Sequence, residues 1–104
     1  MTVITEGHLY ELDNFEDKSI PNQNLQFIQK EPVSVGSTEL QKVAEGTTNE
    51  EVLRVLIDRM NYLQSKFPCR ENAIVITKLE ESLMWLYKRT EDRVKRNVEG
   101  KQII

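Results

Sequence analysis

From Asn49 to Lys66 apolar residues recur at three- and four-residue steps, at Val52, Leu53, Leu56, Met60 and Leu63, with Phe67 just beyond. Arg54, Asp58, Arg59 and Gln64 fall mostly elsewhere, so the period predicts an amphipathic helix. Thr48 followed three residues later by Glu51 reads as a capping box that starts the helix near Asn49. Val55 and Ile57 widen the apolar face beyond one stripe, and a helix with so wide a face touches more than one neighbour. Pro68 ends the pattern, because it has no amide proton and pushes Phe67 out of helical geometry. A second pattern opens at Arg70 or Glu71 and runs about 25 residues. Its core stripe is Ile76, Leu79, Leu83, Leu86, Tyr87, Thr90 and Val94. So short a connection makes two long helices antiparallel neighbours, a helical hairpin.

The chain before Thr47 has a different rhythm. Thr2 to Thr5 and His8 to Leu12 flank Glu6-Gly7, the spacing of a β-hairpin. Asn14 to Asn24 reads as loop, and Leu25 to Glu31 as a third strand ended by Pro32. Leu40 to Ala44 reads as a strand closed by Gly46, with a short helix capped at Ser37-Thr38 as the alternative. The expected fold is α+β in one domain over 1–104. A small antiparallel N-terminal β-sheet caps the chain over 1–46, and a C-terminal antiparallel two-helix hairpin with its tail fills 47–100. Asn97 is suited to leave the second helix through the left-handed region, with Val98-Glu99-Gly100 continuing as non-helical chain.

Composition narrows the partners. At 38% hydrophobic and 30% charged the chain is of soluble globular type, with no apolar run long enough for a membrane and no visible signal peptide. A 104-residue domain has a large surface for its volume, so a homo-oligomer is expected. The net charge of −3 is unevenly spread, with acidic residues crowding Glu6 to Asp17 and basic residues prevailing from Lys88 to Lys101. Long nucleic acid is excluded as a partner of the whole chain, whereas a small anion at the basic end is compatible. Cys69 is the single cysteine, which fits a reducing cytoplasm. With one His and one Cys no ordinary zinc cluster assembles within the chain, and no metal or cofactor is expected.

The chemistry worth attention lies on the second helix. Lys78, Ser82, Trp85, Arg89, Arg93 and Arg96 share a stripe beside the core stripe. Guanidinium groups fork phosphate oxygens and an indole stacks on a base, so the stripe suits a phosphorylated nucleotide. The alternative is plain structure: basic residues near a helix C-terminus complement its dipole, and a lone Trp packs. No Gly-rich phosphate loop, His-Glu-x-x-His or Gly-x-Ser-x-Gly is present, which points to a binding protein and away from an enzyme.

Several unusual words then occur in one order: Phe67 to Asn72 (Phe-Pro-Cys-Arg-Glu-Asn), Ile76 to Glu81 (Ile-Thr-Lys-Leu-Glu-Glu), Leu83 to Leu86 (Leu-Met-Trp-Leu), and Arg96 to Gly100. In these the chain resembles the first Thoeris anti-defence family of phages, over about Thr47 to Gly100. The resemblance implies a phage sponge that sequesters, without cleaving, glycocyclic ADP-ribose, the signal of bacterial TIR-domain enzymes, in the cytoplasm of the infected host. Members share their hairpin with the sponges that defeat CBASS defence, and some take up cyclic di- or trinucleotides at separate pockets. They assemble as dimers or trimers of dimers with pockets between protomers. Carried onto this sequence, Phe67 and Asn72 fall near the ligand, Phe67 as a stacking platform. Arg70, Arg89, Arg93 and Arg96 become phosphate or pyrophosphate contacts beside Trp85, and the Val98-Glu99-Gly100 backbone closes the pocket. Asn97 stands where the family pattern expects glycine, and Lys101 where it expects a hydroxyl residue. The competing readings are a hairpin module that binds a host protein and an enzyme that opens the cyclic ligand.

Overall fold

The computed structural model describes residues 1–104 as five strands followed by two helices, an α+β chain. The strands are β1 (Thr2–Thr5), β2 (Leu9–Leu12), β3 (Gln23–Gln26), β4 (Gln29–Pro32) and β5 (Leu40–Ala44), and the helices α1 (Asn49–Lys66) and α2 (Arg70–Lys95). Residue contacts divide it into two compact units, Met1–Thr48 and Asn49–Ile103.

In the first unit the strands form two antiparallel sheets where the sequence suggested one. β1, β2 and β3 pair in that order, with Val3 opposite Tyr10 and Tyr10 opposite Leu25; β4 and β5 form a separate pair, with Pro32 opposite Leu40. The expected third strand, Leu25 to Glu31, is cut at Phe27 and Ile28. There the backbone turns its hydrogen bonds towards Thr47: the Thr47 amide donates to the Gln26 carbonyl (2.8 Å) and the Ile28 amide to the Thr47 carbonyl (2.9 Å). Gly46 makes this approach possible. A Cβ there would lie 2.4 Å from the Gln26 carbonyl oxygen and 2.6 Å from the Phe27 carbonyl carbon, both main-chain atoms that cannot swing away. The Phe27 ring meets Tyr10 edge to face at 6.0 Å.

In the second unit α1 begins at Asn49 and ends before Pro68, as the periodicity predicts. Its inner residues are Val52, Leu53, Ile57, Met60 and Leu63, so Ile57 belongs to the seam and Leu56, 43% exposed, stands outside it. On α2 the half-buried residues Asn72, Ile76, Leu79, Leu83 and Leu86 step by four and three, a seam of coiled-coil spacing that continues to Arg93. Tyr87 and Val94, assigned to the core stripe from sequence, are 47% and 59% exposed. The helix closes with a Schellman motif: Asn97 takes φ 58°, its amide donates to the Val94 carbonyl, and the Val98 amide donates to the Arg93 carbonyl, each at 3.0 Å. No helix is long and apolar enough to cross a membrane.

Gly46→Ala forces a Cβ into main-chain atoms and is expected to lower stability by about 1–3 kcal/mol, the usual cost of overpacking. Chemical denaturation monitored by far-UV circular dichroism checks this; an unchanged midpoint would show that the Phe27–Thr47 crossing yields freely.

Candidate functional site

The turn between the helices is held by one side chain. The Cys69 amide donates to the Gln64 carboxamide oxygen at 3.0 Å, and the same carboxamide returns an N–H to the Cys69 carbonyl at 3.1 Å. Cys69, extended at φ −153° and ψ 161°, is the N-cap of α2, its Sγ accepting from the Asn72 amide at 3.4 Å. With both ends of the turn tied, Phe67 projects into solvent, 80% exposed, a free ring at the tip of the hairpin. Arg70, exposed, lines a surface recess of about 440 Å³ with Ala73, Ile74, Thr77 and Lys78. Asn72 is half-buried in the first turn of α2.

The stripe further along α2 divides. Trp85 is 62% exposed. Arg89 is exposed and engages no hydrogen bond or ion pair. Arg96 donates from Nε to Asp92 one turn back, at 3.0 Å. Arg93, placed on the same flank from sequence, departs from it: it is 5% exposed, the one buried residue of the chain. The cause is angular, since Arg93 lies seven residues beyond Leu86 and so shares the phase of the seam as closely as that of Arg89. At about 1.5 Å per residue, Asn72 and Arg89 stand roughly 25 Å apart along α2. The turn cluster and the arginine stripe of one hairpin therefore lie too far apart to grip one small cyclic nucleotide.

A second recess, about 780 Å³, runs between the helices and holds none of the candidate ligand-binding residues. Ile57, Leu83, Met84 and Tyr87 form its apolar floor, with Arg54 and Lys88 against Asp58, Glu80 and Glu91 around the rim. Arg54 donates to the Tyr87 hydroxyl, lies 5.9 Å from that ring's centre and pairs with Glu51 at 3.5 Å. Burial pulls the Arg54 pKa down, but the Tyr87 hydroxyl and Glu51 outweigh it and hold the guanidinium above its usual value. With acids outnumbering bases, this groove repels a polyphosphate and suits protein packing. The signal for it was legible in the unpaired apolar width of α1. No cluster of His, Cys, Asp or Glu has the geometry to hold a metal ion.

Residues 29–91 match the family described as Acb2/Tad1, hairpin domain. The chain belongs to the Acb2/Tad1 hairpin family. The matched span includes Phe67, Arg70, Asn72, Trp85 and Arg89, and it stops short of Arg93 and Arg96. Thoeris anti-defense 1 of Bacillus phage SBSphiJ7 is 57% identical over 58 residues, which is 55% of this chain and 41% of that relative. The chain thus aligns with less than half the length of the curated relative it matches. The matched span covers the motifs of the sequence resemblance from Phe67 to Leu86 and not those from Arg96 to Gly100.

Gln64→Ala removes both bonds that tie the turn, with an expected loss of about 1 kcal/mol for so accessible a pair. Thermal denaturation measures it against Arg59→Ala, an exposed position on α1 where a change within about 0.5 kcal/mol is expected. Equal melting of the two variants would show that Pro68 alone fixes the turn.

Proposed function

We propose that this chain is a phage anti-defence sponge: it binds and sequesters, without cleaving it, a cyclic nucleotide immune signal, glycocyclic ADP-ribose, and so blocks activation of the Thoeris effector. Membership of the hairpin family and the name of the phage relative support the class. The observation that carries the mechanism is the distance of roughly 25 Å between the turn cluster and the arginine stripe. The pocket is then completed by a second copy, whose open end brings Trp85, Arg89 and Arg96 to the Phe67, Arg70 and Asn72 of the first. Phe67 and Trp85 offer exposed aromatic side chains for bases, and Arg89 offers an uncommitted guanidinium for phosphate. Arg70 lies beside Thr77 and Lys78, a further cationic surface for phosphate or for a second cyclic di- or trinucleotide.

Self-association has its own motive. No hydrophobic residue of the chain is buried, while Val55, Leu56, Met84 and Trp85 are all exposed by two fifths or more. Assembly into dimers and trimers of dimers covers such surface, and the groove floored by Ile57, Leu83 and Met84 is the face we assign to it.

Purified protein incubated with glycocyclic ADP-ribose, washed and heat-denatured is expected to return intact ligand in stoichiometric amount. Altered ligand would mean an enzyme; no retained nucleotide would favour a module that binds a host protein. Phe67→Ala and Arg89→Ala are each expected to weaken retention, Arg89→Ala by roughly 1.5–3 kcal/mol, about ten- to a hundredfold. When the two variants are mixed and allowed to exchange, pockets of intact composition reform at about one quarter of wild-type capacity for a two-pocket symmetric dimer. No recovery on mixing would mean that no pocket takes Phe67 from one copy and Arg89 from the other.

Met84→Glu puts a charge on the exposed edge of the groove and is expected to reduce the particle to one of 12.2 kDa in light scattering. A wild-type particle already of that mass at micromolar concentration overturns self-association.

A further inference from the structure

The groove between the helices carries charges that its own chain leaves unmatched. At the end away from the turn stand Arg54 and Lys88, and nearer the turn Asp58 and Glu80, with Ile57, Leu83 and Met84 flooring the middle. Arg54 is held by Glu51 and the Tyr87 hydroxyl, and Glu91 pairs with Lys95 at 3.3 Å. Lys88, Asp58 and Glu80 are exposed and engage no hydrogen bond or ion pair within the chain. The rim thus carries an unmatched cation towards one end and two unmatched carboxylates towards the other. Arg54 and Asp58 have their midpoint at Leu56, Lys88 and Glu80 theirs at Met84, and the Arg54–Tyr87 bond sets these two midpoints within about one helical turn of each other. A charge pattern that changes sign about one point on a surface is complementary to itself after a half-turn.

We infer that the occupant of this groove is the same groove of a second copy, docked about a twofold axis near Met84, with Lys88 of each copy against Glu80 of the other and Arg54 facing Asp58. The apolar floors meet at the axis and the charges close the rim, the usual layout of a protein interface. A partner of uniform charge would be repelled at one end of the rim. The twofold has a second effect. Asn72 and Arg96 each lie twelve residues from Met84, roughly 18 Å, so it brings Arg96 of one copy level with Asn72 of the other. The Arg93 fork is turned inward at that end, donating to the Val98, Lys101 and Ile103 carbonyls and pairing with Glu99, which leaves Arg96 as the exposed arginine there. The pairing rests on the self-association proposed for this chain; the level of Arg96 bears on the sponge reading and is not needed for the pairing.

Charge exchange tests the pairing. At a concentration near the dissociation constant of wild type, Lys88→Glu and Glu80→Lys are each expected to associate about tenfold more weakly or worse, because each sets like charges together twice across the twofold. Both positions are exposed, and far-UV circular dichroism is expected to show both variants folded. An equimolar mixture of the two is expected to recover the wild-type particle in light scattering. With one variant isotopically labelled, native mass spectrometry is expected to find pairs of one labelled and one unlabelled copy. Lys88→Glu combined with Glu80→Lys in one chain is expected to associate as wild type does. Single variants that associate as tightly as wild type, or a mixture that recovers nothing, overturn the twofold pairing while self-association through another contact stands. A wild-type particle of 12.2 kDa overturns self-association and the pairing with it.

Discussion

Two helices joined by a short turn share one seam, and that seam is the only place where the second unit can withdraw apolar side chains from water. Asn72, Ile76, Leu79, Leu83 and Leu86 meet the Val52-to-Leu63 face of α1 along it, and none of them reaches full burial. Apolar area removed from water is the main driving force of folding, at roughly 25 cal/mol per Å². A hairpin with so thin an interior depends on whatever else fixes its two ends. At the turn that task falls to the Gln64–Cys69 pair and Pro68; at the other end, to the Schellman motif and the Arg93 fork. Both ends are closed by directional hydrogen bonds and by backbone constraint, which do not require a core.

The polar closures also divide the surface. Because α2 is 26 residues long, about 39 Å, its two ends are independent environments: an exposed aromatic at one, cations at the other. The groove between them is apolar-floored and slightly acidic at its rim, a different chemistry again. The surface therefore has three faces of different character, with exposed cations near the turn, at Arg70 and Lys78, as well as along the last turns of α2.

Much of this was readable along the chain. Both helices are bounded by local signals, Pro68 for α1 and Asn97 for α2, and such signals act through the backbone of a few residues. The break of the third strand was not readable, because it is set by Thr47, twenty residues from Phe27, and by the missing side chain of Gly46. Arg93 shows the complementary failure. Its helical phase lies between two stripes, and the chemistry of arginine drew it to the solvent side, whereas the segment after α2 supplied partners that made burial of the fork favourable. Phe67, a stacking platform by resemblance, has its ring left in water by the tied turn.

The separation of the seam from the Trp85 and Arg89 flank has an evolutionary consequence. Neither residue supports the helix pairing, so either can be exchanged at little cost to folding, as is usual for surface positions away from caps and buried polar networks. This flank can thus drift by single steps, each variant still folded, with no need for paired changes in the interior. The same freedom is denied to Gly46 and Arg93, most of whose neighbours are main-chain atoms that no compensating side-chain substitution can reshape.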